Sequence, residues 1–372
     1  MLPGKPFLLL LALTICASAA KVSIETVPEN GVQPQVAVDA SGTVHLIYLK
    51  GNPKGCDVRY VSRKLGSRAW NSPVTVNSEP QTAIAMGTIR GAQLAVGSGN
   101  TLHIVWSGAG GDEGRGLPLF YARREQGRTA FEAQRNVLGE TEALDGGASI
   151  AATKGGDVYL VWHGCTAGAV LREPGRAVFI SRSSDDGVTF GPPAIANGDF
   201  TGTCACCSLR AVATEKGELF ALYRAAHTAE DRDMNLLVSR DRGSTFIRQL
   251  LDPWKTMRCP MSSAALLSTA NGTRAAWETD GNIVTAMVSA KSPGEVIAAA
   301  GAKHPFLAVN SRGETLVTWT RGTGWNRGGD LGWAMLDPGG RATGEHGQAP
   351  GVPVWSHGAA YADLDDGFVV LR

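Results

Sequence analysis

The stretch Ala148-Ser-Ile-Ala-Ala-Thr-Lys-Gly-Gly-Asp-Val-Tyr-Leu-Val-Trp-His163 reads as two short strands around a glycine turn. Apolar residues alternate on both sides of Gly156 and the second run ends in an aromatic, the pattern of an antiparallel hairpin. The same pattern recurs at residues 35–49, 92–107, 209–224, 264–278, 305–320 and 359–372. Its turn glycines are Gly42, Gly99, Gly156, Gly217, Gly272, Gly313 and Gly367, at intervals of 57, 57, 61, 55, 41 and 54 residues. A second strand pair lies between hairpins, as at residues 177–191 and 235–247. Four strands per repeat make a blade, so the expected fold is an all-β, six- or seven-bladed β-propeller. A β-sandwich also has many short strands, but it has no reason to repeat at this interval. The last hairpin either forms a seventh blade or completes the first together with residues 21–28. Pairing the two chain ends would close the ring and remove its free sheet edges.

The chain opens with Lys5, a short apolar run from Phe7 to Ile15 and the small residues Ala17, Ser18 and Ala19. That is the form of a cleaved signal peptide over residues 1–19, and the run is about half the length a membrane anchor needs. The expectation is a secreted or periplasmic propeller domain over residues 20–372 with no membrane anchor. With 35 basic and 34 acidic residues the net charge is +1, which leaves no field to gather nucleic acid.

Ser183-Ser-Asp-Asp-Gly-Val-Thr-Phe190 and Ser239-Arg-Asp-Arg-Gly-Ser-Thr-Phe246 both match the S-x-D-x-G-x-T-[F/W] Asp box, with degenerate copies at 62–70 and 122–131. Through these the chain resembles the sialidase and BNR-repeat propeller superfamily over nearly its whole mature length. In the box, Asp185 and Asp241 are placed to accept backbone N–H groups, and Phe190 and Phe246 to pack between sheets. The resemblance puts the boxes on the face opposite the usual active site, so they speak for fold and not for activity.

Loops from second to third strands, and from one blade to the next, share the other face. The residue just after the second-strand aromatic is Leu49, Ser107, His163, Arg224, Glu278 and Thr320 in successive hairpins. Arg224 is a candidate for an anionic substrate, with Glu278 and His163 as acid and base; an inter-blade salt bridge is the alternative. Arg321 is a further basic candidate. The resemblance implies three arginines for a substrate carboxylate, a tyrosine nucleophile assisted by a glutamate, and an aspartate acid/base. Tyr361, ahead of the Asp366-Gly367 turn, is similar to that tyrosine. The first arginine is missing, because Val32-Gln-Pro-Gln-Val36 stands where the family has Arg-Ile-Pro. The Asp231-Arg232-Asp233 run is expected to be a solvated loop, although an Arg-Asp pair also occurs there in the family.

Six cysteines follow the leader: Cys56, Cys165, Cys204, Cys206, Cys207 and Cys259. All six map to the loop face. An even count in an exported chain suggests disulfides and no cofactor. The Cys204-Ala-Cys206-Cys207 cluster with Cys259, flanked by Met257 and Met261, is also the donor set of a copper or zinc site. This segment is similar to a group of bacterial BNR propellers with cysteines at these places and no settled activity. The functional expectation is a sialidase-type exo-glycosidase or glycan-binding propeller. The alternative is a non-enzymatic propeller whose cysteine-rich face holds a protein partner or a metal.

Overall fold

The computed structural model of the protein describes residues 21–110, 116–169, 172–198, 202–269, 271–288, 294–298 and 300–372. Residues 1–19, expected to be a signal peptide, lie outside these residues. The chain folds as a seven-bladed β-propeller, with no α-helix among the described residues. Six blades carry a four-stranded path in chain order from the channel outward, and the third has one extra short strand, Thr141–Glu142, paired to its second.

The seventh blade settles the blade count. Ala359–Ala362 and Phe368–Leu371 form its hairpin, and Val22–Glu25 from the other end of the chain adds the third strand. The N-terminal strand thus completes the last blade, not the first. It runs parallel to Phe368–Leu371, with Val22 beside Phe368 and Glu25 beside Leu371. Direction explains this pairing. The strand must end on the face where the first blade begins, so it takes the direction of an outermost strand while occupying the third position.

Hydrophobic packing follows the ring. Trp106, Trp162 and Trp277 lie in second strands and are fully buried, each in a cluster shared with the preceding blade. Tyr48 does the same against the seventh blade, with Val369 and Leu371. Truncating one such indole removes the contact between two blades, a loss of about 3–5 kcal/mol for Trp→Ala.

Turn chemistry is regular at one end. Gly42, Gly99, Gly156, Gly217, Gly272 and Gly313 hold positive φ between 55° and 117°. In the seventh hairpin Gly367 is at φ −75°, and Asp365 and Asp366 supply the left-handed backbone instead. In both S-x-D-x-G-x-T-F turns the aspartate accepts the threonine N–H at 2.9 Å and its hydroxyl at 2.6 Å, while the serine hydroxyl accepts the glycine N–H at 2.8 Å.

Candidate functional site on the cysteine face

Toward the opposite face, the second strands carry Leu49, Ser107, His163, Arg224, Glu278 and Thr320, and none is more than 3% exposed. Arg224 and Glu278 are brought together. Arg224 Nη2 lies 3.8 Å from Glu278 Oε2 and also donates to the Glu278 carbonyl. Its Nη1 donates to the Arg232 carbonyl at 2.6 Å, and the guanidinium stacks 5.0 Å from the Trp254 ring centroid. Glu278 Oε1 accepts the Gly281 N–H at 2.8 Å, whereas Oε2 is buried with no hydrogen-bond partner. Burial raises the Glu278 carboxyl above its ordinary range, against the pull of Arg224.

The cysteine loop packs directly on this pair. Cys204 N–H donates to the Arg224 carbonyl at 2.9 Å, and Ala226 N–H to Gly202 at 3.1 Å. Glu173, on the loop after the second strand of the third blade, accepts Ala205 N–H at 3.0 Å and Arg232 Nη2 at 3.2 Å. Arg232 is buried, Asp231 pairs with Lys255 at 2.6 Å, and Asp233 accepts Trp254 N–H at 2.7 Å. The run expected to be a solvated loop is therefore a structured part of the face. Its charges are consumed by partners that lie far away in sequence.

His163 has no exposed surface. Nε2 lies 3.0 Å from the Cys207 carbonyl and Nδ1 lies 3.4 Å from Arg176 Nη1. Burial and then the Arg176 charge pull its pKa down to about 4, so the ring is neutral, donating through Nε2 and accepting at Nδ1. Gly146 lets the loop come this close: a Cβ there would meet the Cys207 carbonyl at 2.4 Å and His163 Nε2 at 2.6 Å.

Four sulfurs gather where two loops meet. Cys206 and Cys259 form a disulfide; Cys204 and Cys207 keep free thiols, as do the buried Cys56 and Cys165. Cys204 Sγ is 3.3 Å from Cys207 Sγ and 3.5 Å from Cys206 Sγ. Burial opposes ionisation of Cys207, but the Cys204 thiol donating to it and the Arg224 charge outweigh burial and bring it down to about 7. The proton stays on Cys204, whose thiol is pushed well up. Sulfurs of Cys204, Cys206 and Cys207 all lie within 4.8 Å of one another, a spacing that suits a soft metal ion.

Tyr361 and Arg321 stand apart from this cluster. Tyr361 packs between the seventh and first blades, where its hydroxyl accepts Arg63 Nε at 3.1 Å. Arg63 in turn pairs with Glu25 at 2.9 Å and stacks on Trp70. Burial pushes the phenol up to about 12 in spite of Arg63. Arg321 is exposed at the end of its strand, in register with Asp330.

Sequence reasoning missed Glu173, Arg176 and Trp254, which sit in loops without periodicity. It also missed a pocket of about 70 Å³ beside Cys259, lined by Gly87, Met261, Lys303, His304, Trp325 and Trp355. Trp325 is 44% exposed there. Met261, His304 and Trp355 hold φ of 45°, 54° and 58°, a conformation that side chains of this bulk rarely adopt.

No protein-family model matches the sequence, and no curated protein matches it. Solved structures do. The Hadza microbial sialidase Hz136 superposes with a TM-score of 0.53 at 12% identity, over 78% of this chain and 63% of its own. The Penicillium chrysogenum α-L-arabinanase gives 0.55 at 13% identity, over 85% of this chain and 95% of its own. The Trypanosoma rangeli sialidase gives 0.52 at 11% identity, over 78% of this chain and 52% of its own. The chain thus spans less than two thirds of the length of both sialidases. What these structures share with it is the sialidase-like propeller fold, a fold carried here by glycoside-acting enzymes.

Proposed function

We propose that the protein is an exported, glycan-binding propeller of the sialidase-like kind, which holds sugar at the mouth of its channel on the cysteine face. One observation carries this reading: the small pocket between Trp325 and Trp355, with Lys303 as polar donor and three non-glycine residues held in left-handed backbone around it. Strain of that kind persists where the surroundings over-determine it, and it collects at ligand sites. An exposed indole beside a few fixed polar groups is a recognition surface for a ring with one apolar face. The neighbours in fold act on sugars, which agrees with this reading. Hydrolysis by a tyrosine nucleophile is the weaker form of it, because the Tyr361 hydroxyl is engaged by Arg63 and, among the described residues, no carboxylate hydrogen-bonds to it.

Binding to an array of sialosides and arabino-oligosaccharides, with turnover of a fluorogenic sialoside measured in parallel, tests the proposal. Binding without turnover is expected, with a loss of at least tenfold in Trp325→Ala and no change in Tyr361→Phe. Equal binding by Trp325→Ala would move the site elsewhere, and turnover lost in Tyr361→Phe would restore a sialidase.

A second reading has its own observation in the three sulfurs within 4.8 Å. Cys204, Cys206, Cys207 and Cys259 together offer the thiolate set of copper(I) or zinc once the disulfide is reduced. Metal content and thiol count of the natively exported protein decide it. One metal per chain with four titratable thiols in the cluster supports the metal site, and metal-free protein with an intact disulfide excludes it.

A further inference from the structure

The central channel is a cavity of about 570 Å³ walled by the inner strands of all seven blades. At one level of it, four successive blades present the residue paired with the position just before the second-strand aromatic. These are Gln35, Gln93, Ser149 and Arg210, opposite Ile47, Val105, Val161 and Leu222. Blades five to seven place Ala265, Phe306 and Ala360 at the same level, so the ring is polar on one side and apolar on the other.

Arg210 is the one charged side chain among the described residues lining the channel, and no carboxylate lines it. Its only hydrogen bond among the described residues runs from Nη1 to the neighbouring Leu209 carbonyl at 3.2 Å, which leaves most of a five-donor fork unused. Gln35 is nine-tenths buried and its Nε2 has no hydrogen-bond partner among the described residues. Gln93 Nε2, by contrast, is spent on the Gly91 and Ala92 carbonyls, and Ser149 Oγ accepts Ala211 N–H. Burial alone lowers the Arg210 pKa, to about 10, with no acid to offset it. The nearby His304 and His357 feel its charge and are held neutral chiefly by their own burial.

A half-buried cation with idle donors, level with an idle amide donor on a channel that no acid among the described residues lines, lacks an anion. We infer that the cysteine-side end of the channel binds a small oxyanion, a carboxylate or a phosphate, through the Arg210 guanidinium, with the Gln35 amide as a further donor at the same level. The site lies inside the ring and does not depend on sugar binding at Trp325.

Thermal unfolding and calorimetric titration of the full chain, in phosphate, in citrate and in chloride at matched ionic strength, test the inference. The unfolding midpoint is expected to rise by about 3 °C or more in millimolar phosphate or citrate, as a ligand of the native state requires. A response to one of the two assigns the anion as phosphate or carboxylate. Arg210→Gln should abolish the rise while unfolding in chloride no lower than the native chain, since it removes an unpaired charge. Should that variant fail to fold, Gln35→Leu is expected to cut the affinity about tenfold. No anion-dependent stabilisation of the native chain, or an equal rise in Arg210→Gln or Gln35→Leu, overturns the site.

Discussion

The two ends of the propeller are built on opposite terms. At the end carrying the Ser183–Thr189 and Ser239–Thr245 turns, every side-chain oxygen of the serine, aspartate and threonine is hydrogen-bonded, in the same geometry twice. At the cysteine end, Thr203 Oγ1, Ser208 Oγ, Arg232 Nε and Glu278 Oε2 are buried without hydrogen bonds among the described residues, within one cluster of loops. Native proteins rarely leave such atoms orphaned, and they do so mainly where function holds a site in a state that stability alone would not choose. The turn end therefore fixes the fold, while the cysteine end stores unspent interactions.

The largest expected effect breaks the cysteine end covalently. Cys206 and Cys259 are 53 residues apart, and opening a loop of that length releases roughly 4 kcal/mol of constraint on the unfolded chain. The double variant Cys206→Ser/Cys259→Ser should lose that much in chemical denaturation. Its two S-x-D-x-G-x-T-F turns should keep their amide-exchange protection below the global transition. Equal loss of protection at both ends would mean that the two are one cooperative unit.

Acid sharpens the comparison next. His163 and His357 have pKa values of about 4 in the fold against an ordinary 6.5. Between those values the unfolded state binds protons that the native state refuses, so stability falls as pH drops from 6.5 toward 4, by up to about 3 kcal/mol for each ring. The turn carboxylates behave oppositely. Asp185 and Asp241 are held below 3.8 by hydroxyl and backbone donors, so their contribution is intact above that value and is lost only in stronger acid. Unfolding followed against pH, together with NMR titration of the imidazoles, should show the cysteine end weakening first. His163→Gln should flatten the curve between pH 6.5 and 4, and an unchanged slope would remove His163 from the account.

Legibility in the sequence divides along the same line. Hairpin alternation and turn glycines are local, so the propeller and the position of each blade could be read from residues a few places apart. The seventh blade was ambiguous because its third strand comes from residue 22 and pairs in parallel with residue 368, a choice set by chain direction and not by composition. The position after each aromatic led to Arg224 and Glu278, which do meet. Their surroundings could not be read, because Glu173, Arg176 and Trp254 arrive on irregular loops. Alternation likewise says nothing of which cysteines join, and the Asp231–Asp233 run looks solvated until Lys255 and Trp254 fold over it. Arg210 is legible as a strand residue, but that it lacks an acid is a fact of three dimensions.

The smallest effects separate the two ends most cleanly. Ser183→Ala or Ser239→Ala leaves a glycine N–H, buried at Gly187 and part-buried at Gly243, without its acceptor, so each should cost about 1–2 kcal/mol with sugar binding unchanged. Glu278→Gln removes a charge from the cysteine end but keeps an oxygen for Gly281 N–H. Relief of a desolvated, half-satisfied carboxylate and loss of a 3.8 Å attraction to Arg224 then nearly cancel, and stability should change by less than about 1 kcal/mol in either direction. Denaturation midpoints for the three variants decide the matter. If Glu278→Gln costs as much as the serine changes, the ion pair is a structural brace like the turns. If it costs little while binding on the cysteine face changes, the unspent interactions at that end are held for a ligand.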